Sequence, residues 1–282
     1  MPRVISISNQ KGGVGKTTTA INLSSALAME DQTVLLIDLD PQGNASSGLG
    51  IPKTSVSSGI ADVLLGFREL PEVIRPTCID GMQLAPATRE LIGLEVELVE
   101  TRDREFRLRQ ALDKYAQDYD YVIIDCPPSL NLITVNALAA SDGVIIPLQA
   151  EYYAMEGLSE LLRSINHIQK GGLNRELKRE GILLTMTDRR TNLCRDVCDQ
   201  AREVFGADVF DTEIPRNVRL SEAPSYGKPV LAYDPLCRGA IAYTRLALEL
   251  LQRNSGAVGS EHRNEAEEST PSLQLIHAQE AS

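Results

Sequence analysis

The stretch VISISNQKGGVGKTTTAINL, Val4 to Leu23, joins a β-branched apolar run to a glycine-rich turn and then to a helical pattern. In that setting the backbone N–H groups of Gly12, Gly13, Val14, Gly15 and Lys16 converge at a helix N-terminus, where they point at an anion. The Lys16-Thr17 pair completes a phosphate loop. Lys16 is expected to reach the β and γ phosphates of a nucleotide, and the Thr17 hydroxyl to ligate Mg2+. Two residues depart from the usual G-x-x-x-x-G-K-T pattern: Gln10 stands where the first glycine falls, and an additional lysine, Lys11, follows it. A dinucleotide-binding turn shares Gly13-x-Gly15 and an acid, Asp38, at the end of the next strand. It wants a third glycine where this chain has Thr18, and it gives Lys16-Thr17 no role, so the phosphate-loop reading is preferred.

Outward from this turn, short apolar runs alternate with helical patterns. Residues 4–8, 33–38, 121–125, 143–148 and 181–186 read as buried strands. Helices are expected over 16–29, 58–66, 90–117 with a break, 130–140, 154–170 and 191–204. Residues 71–87 suggest a short strand pair or hairpin. Strands that are apolar throughout indicate a mostly parallel sheet with helices on both faces. The expected fold is therefore α/β, a doubly wound P-loop architecture with ligands at the carboxyl ends of its strands.

At 282 residues the chain has room for one large domain. We expect it over residues 1–252, followed by a disordered acidic tail over 253–282, where the sequence turns polar without amphipathic period. No apolar run reaches the roughly 18 residues of a membrane span, and the first residues lack a signal-peptide core. The expected location is cytoplasmic. Five scattered cysteines fit reduced thiols, and Cys194 and Cys198 at i and i+4 read as inert helix residues. A net charge of −11 argues against a generic nucleic-acid coat. Any nucleic-acid contact must come from a local basic patch.

Asp38 and Asp40 fall on one side of the extended backbone as the second strand ends, and Asp125 ends another strand before Pro127-Pro128. An aspartate after an apolar strand, in a chain with a phosphate loop, is the Walker B arrangement that holds Mg2+ directly or through water.

The loop with its additional lysine, DLDPQGN, IIDCPPSL, QAEYYAMEGL and IPRNVRLSEAPSYGKP together resemble the ParA/Soj chromosome-partitioning ATPases of the wider ParA/MinD deviant Walker A class. The resemblance covers about residues 2–250. It implies that Lys11 crosses to a partner subunit and contacts the ATP bound there, so that a homodimer encloses two ATP. It further implies ATP contacts from Lys11 to Thr18, with Asp40 positioning the attacking water. Asp38 and Asp125 would support Mg2+ beside Thr17, and Pro215 and Asn217 would hold adenine. Lys11, Lys16 and Asp40 are then the catalytic residues of a slow ATPase. The resemblance also implies non-specific double-stranded DNA binding by the ATP dimer, with Arg190 and Arg219, and less well Arg189, at the matching positions. A ParB-like centromere-binding partner would stimulate hydrolysis, placing the protein on the nucleoid in chromosome or plasmid segregation.

Two rival functions keep this fold. One positions a non-DNA cargo on the nucleoid. The other acts at a membrane surface like MinD and wants a basic amphipathic C-terminal helix, whereas residues 254–282 offer only Arg263 as a fixed cation.

Overall fold

The computed structural model describes residues 1–151 and 154–257. Seven strands form one sheet: β1 (Arg3–Ile7), β2 (Val34–Asp38), β3 (Arg75–Pro76), β4 (Met82–Ala85), β5 (Tyr121–Asp125), β6 (Gly143–Gln149) and β7 (Lys178–Thr185). Their order is β3-β4-β2-β5-β1-β6-β7, and every neighbouring pair except β3 with β4 is parallel. Every residue of β2 and β5 is buried, as expected of strands covered on both faces. The expected strand pair within 71–87 is β3 with β4, Arg75 lying opposite Leu84.

The helices used below are α1 (Lys16–Met29), α2 (Asn44–Gly48), α3 (Ile60–Leu65), α4 (Arg107–Tyr115), α5 (Leu132–Ala140), α6 (Ala154–Lys170), α7 (Asn192–Phe205), α8 (Val218–Glu222) and α9 (Arg238–Ala257). On one face of the sheet, Ala20, Leu23 and Leu27 of α1 pack with Tyr243, Leu246 and Leu250 of α9. On the other, Leu64 of α3, Leu108 of α4 and Ala137 of α5 pack against Leu35 and Ile124. A third cluster joins α6 and α7 to β6 and β7, and Cys194 and Cys198 are buried in it.

Three expectations change. The break expected in the 90–117 helix is there, but the run is divided further, into short pieces ending at Ile92 and Glu97 and a longer helix over 107–115, with a left-handed Asp103 ahead of the last. The last helix, α9, is not among the expected helices, although Ala240, Tyr243, Leu246, Ala247 and Leu250 recur at helical spacing and are all buried. It continues to Ala257, so the tail expected from 253 does not begin there. Residues 258–282 of that tail, and Tyr152 and Tyr153, lie outside the described residues. Among the described residues no helix is long and apolar enough to cross a membrane.

Candidate functional site

The loop after β1 is fixed by its own side chains before any ligand is considered. Asn9 donates from Nδ2 to the Pro147 carbonyl at 2.7 Å and accepts from the Lys11 N–H at 3.0 Å. Gln10, at the position of the usual glycine, donates to Ser164 of α6 at 3.1 Å. Thr185, at the end of β7, donates to the Val14 carbonyl at 2.9 Å. Gly13 and Gly15 have φ of 76° and 90°, a region that penalises any side chain. Gly12 is different: it is not left-handed, and a Cβ built on it would meet nothing within 4 Å. Packing within this chain therefore does not require glycine there.

The two lysines of the loop lead different lives. Lys16 is 7% exposed, and its Nζ donates to the Lys11 carbonyl at 3.0 Å. Burial lowers its pKa, opposed by Asp125, Cys126 and Asp40. Lys11 is half-exposed, and its Nζ lies 3.1 Å from Glu151 Oε2 across the mouth of the loop.

Parallel pairing of β2 and β5 sets Asp38 beside Asp125. Asp125 is fully buried, and neither carboxylate oxygen accepts a hydrogen bond. Burial, then Asp38, raises its pKa well above the usual carboxylate range. The Thr17 hydroxyl and Lys16 lie close enough to lower it, but Thr17 does not meet hydrogen-bonding geometry. A fully buried carboxylate without a donor is costly unless a cation or proton neutralises it. With the Thr17 hydroxyl beside it, Asp125 fits a hard divalent cation such as Mg2+, which prefers oxygen ligands.

Asp38 is also fully buried but well supplied. Its Oδ2 accepts from the Ser46 N–H at 2.8 Å and the Ser46 hydroxyl at 2.7 Å, and its Oδ1 accepts from the Asp40 N–H at 3.2 Å. Burial still outweighs these bonds and raises its carboxyl to about 6. Ser46 Oγ in turn accepts from the Ala87 N–H at 3.2 Å, so Asp38 ties the β2 exit, α2 and the β4 exit together. Asp40, 8% exposed, accepts from the Gln42 N–H at 2.8 Å. Sequence reasoning missed Ser46 and Thr185, and it gave Gln10 no partner. Hydroxyls in NASSG and LLTM carry no pattern that marks them as partners of residues far along the chain.

Pro215 and Asn217 line a cavity of about 280 Å3 with Gly15, Thr18, Met186 and Arg216, at the foot of the loop. Asn217 Oδ1 caps α8 by accepting from the Arg219 N–H at 2.8 Å. The expected DNA-contact arginines lie outside that pocket, and all three are paired within the chain. Arg189 meets Glu213 and Asp199, Arg190 lies 2.6 Å from Asp188, and Arg219 lies 2.8 Å from Glu222 and 3.2 Å from Asp234.

Against known proteins, a family model described as an AAA domain matches residues 2–179. The chromosome partitioning protein ParA of Myxococcus xanthus is 54% identical over 253 residues, 90% of this chain and 89% of that protein. The sporulation initiation inhibitor protein Soj of Bacillus subtilis is 54% identical over 250 residues, 89% of this chain and 98% of that protein. Among solved structures, one described as cobyrinic acid a,c-diamide synthase of Mycobacterium smegmatis with bound ADP and magnesium superposes with a TM-score of 0.80. It is 38% identical and covers 91% of this chain and 97% of that one.

Proposed function

The chain belongs to the ParA/Soj family of P-loop ATPases, and from that premise we propose that it dimerises around ATP and binds DNA non-specifically in that form. It would then segregate a chromosome or plasmid with a ParB-like partner that stimulates hydrolysis. The coarser activity follows from membership: the chain is an ATPase, with ATP and Mg2+ as its cofactors. Bound beside Asp125, Mg2+ supplies positive charge that offsets the charge developing on the phosphates.

The remaining roles are borne by this chain's own groups. Gly13, Val14, Gly15 and Lys16 present N–H groups to the phosphates, with Thr17 and Thr18 continuing the first turn of α1. Lys16 exchanges the Lys11 carbonyl for a phosphate oxygen. Thr17 and Asp125 hold the metal, while Asp38 supports it through the loop that it anchors. Asp40 orients the attacking water, and Pro215 and Asn217 wall the adenine. Lys11 leaves Glu151 and reaches the ATP of the second subunit. Gly12 carries no side chain so that the facing subunit can approach.

The single observation that supports the nucleotide and metal site of this reading is the buried, donorless Asp125 next to Lys16 and Thr17. The proposed DNA contacts are Arg190, Arg219 and Arg189, which must release their carboxylate partners to phosphates. Dimerisation doubles each contact, which allows an acidic monomer to become a DNA-binding dimer. The proposed location is the cytoplasm, on the nucleoid.

Light scattering of wild type and Asp40→Ala with ATP, ADP and no nucleotide tests the dimer, and retention on duplex DNA under the same conditions tests its partner. A dimer and DNA retention specific to ATP, persisting in Asp40→Ala, are expected. A monomer in every state, or equal retention in every state, overturns the proposal.

A further inference from the structure

We propose that Glu151 is a brake on dimerisation: it holds Lys11 within its own subunit after ATP has released the lysine's other movable contact, and so sets how readily two ATP-bound subunits associate. The inference rests on the dimer reading above and adds a regulatory residue to it.

Lys11 is gripped at three atoms, all by its own chain. Its N–H donates to Asn9 Oδ1 at 3.0 Å, its carbonyl accepts from Lys16 Nζ at 3.0 Å, and its Nζ donates to Glu151 Oε2 at 3.1 Å. The three holds differ in kind. Asn9 is buried and tied to the Pro147 carbonyl of β6 at 2.7 Å, so the first is a fixed anchor. The second is provisional. A phosphate oxygen offers the Lys16 ammonium a charge-assisted bond in place of one to a neutral carbonyl, so ATP draws Lys16 away. The Glu151 pair is then the last contact that keeps the lysine head at home.

Glu151 is itself positioned for that contact. It stands just past the end of β6, where its N–H donates to the Gln149 carbonyl at 2.8 Å and its Oε1 accepts from Gln149 Nε2. One carboxylate oxygen is thereby fixed and the other is turned to Lys11. Through Pro147 and Glu151, the β6 exit grips the loop at both its backbone and its lysine head. On its other side Lys11 is followed by Gly12 and by Gly13 with φ of 76°, and a Cβ at either would meet nothing within 4 Å. The lysine can therefore shift without displacing α1.

The strength of the pair suits a brake rather than a lock. Its side chains are 38% and 47% exposed, and an exposed pair changes an equilibrium by up to about fivefold. Symmetry then counts it twice. A dimer in which each lysine crosses to the other subunit breaks one such pair per chain, so the dimer constant carries up to about 25-fold.

The test is the dimer dissociation constant of the full chain with saturating ATP and Mg2+, from light scattering across a protein dilution series. It is run in the Asp40→Ala background, where slow hydrolysis keeps ATP bound, at salt from about 0.05 to about 0.5 M. Adding Glu151→Gln is expected to tighten the dimer by about 5- to 25-fold at low salt, and the gain should shrink at high salt as the pair is screened. Glu176→Gln, which removes an exposed acid ahead of β7 at the opposite end of the sheet, should leave the constant unchanged. Equal constants with and without Glu151→Gln overturn the brake alone. So does a weaker dimer, which would place Glu151 against the partner subunit, and so does an equal gain from Glu176→Gln, which would reduce the effect to net charge. A chain that stays monomeric with ATP in every variant sinks the dimer reading above along with it.

Discussion

At the carboxyl ends of β1, β2 and β5, Lys16 and three aspartates are buried together, and Asp125 has neither oxygen met by a donor. On the surface from Asp188 to Asp234, by contrast, Arg189, Arg190 and Arg219 stand in solvent with their charges met by neighbours. Burial makes an unmet charge expensive, so it persists only where a ligand supplies the missing partner. A solvated arginine costs little whether paired or not, and its pairing in the free chain says less about what it binds. The first region therefore identifies its ligand by what it lacks. The second carries no such mark.

Variants of the buried region should have the larger effects. Lys16→Ala removes the buried lysine of the phosphate loop and is expected to weaken ATP binding by about 100-fold or more, the order of effect seen when a buried, charged hydrogen bond is deleted. Calorimetric titration checks it, and near-normal affinity would break the comparison at its strongest point. Asp40→Ala should slow hydrolysis by about 100-fold or more while ATP affinity stays within a few-fold, as loss of a water-orienting carboxylate requires. Single-turnover phosphate release measures the step.

Asp125→Asn separates stability from activity. It should abolish Mg2+-dependent hydrolysis yet raise the thermal midpoint of the nucleotide-free protein by several degrees, because an uncompensated buried carboxyl is removed. The pH dependence has a definite sign. Asp38 is raised to about 6 and Asp125 is raised as well, whereas aspartates of the unfolded chain titrate near about 3.9. Between those values the folded protein holds more protons than the unfolded chain, so these two groups make stability fall as pH rises through that window. Melting curves from about pH 4 to 6 should show the fall without nucleotide, and a flatter profile for Asp125→Asn.

Ser46→Ala removes the donor to Asp38 and the acceptor for Ala87. The expected cost is about 1–3 kcal/mol of stability, with a lower kcat and little change in ATP affinity. Denaturant unfolding and turnover on the same preparation separate the two effects. The smallest change is expected at the exposed Lys11–Glu151 pair, where Glu151→Gln should shift the melting midpoint by less than about 4 °C. A larger shift would mean that this surface pair behaves like the buried site.

How much of this was legible follows the same division. The sheet could be read because β2 and β5 are apolar up to a terminal aspartate, and the phosphate loop because glycine, lysine and threonine stand at fixed spacing between a strand and a helix. Asp125 was found by its place at a strand end. Its lack of any donor was not, because that depends on the register with Asp38 and the reach of Thr17. Ser46 and Thr185 act through hydrogen bonds spanning eight and 171 positions of sequence, which no local pattern encodes. The pairing of Arg189 with Glu213, 24 residues on, was hidden for the same reason. The α9 periodicity is present in the sequence and went unread.

The position of β1 in the sheet also has a consequence in time. Its two neighbours, β5 and β6, begin at Tyr121 and Gly143, so the strand that launches the phosphate loop has no partner until more than a hundred further residues have been made. At roughly 5–20 residues per second, synthesis leaves that apolar strand waiting for about 6–24 seconds. The nascent chain must be kept from pairing it elsewhere, and ATP can act as a folding ligand only late, once the middle of the chain has left the ribosome.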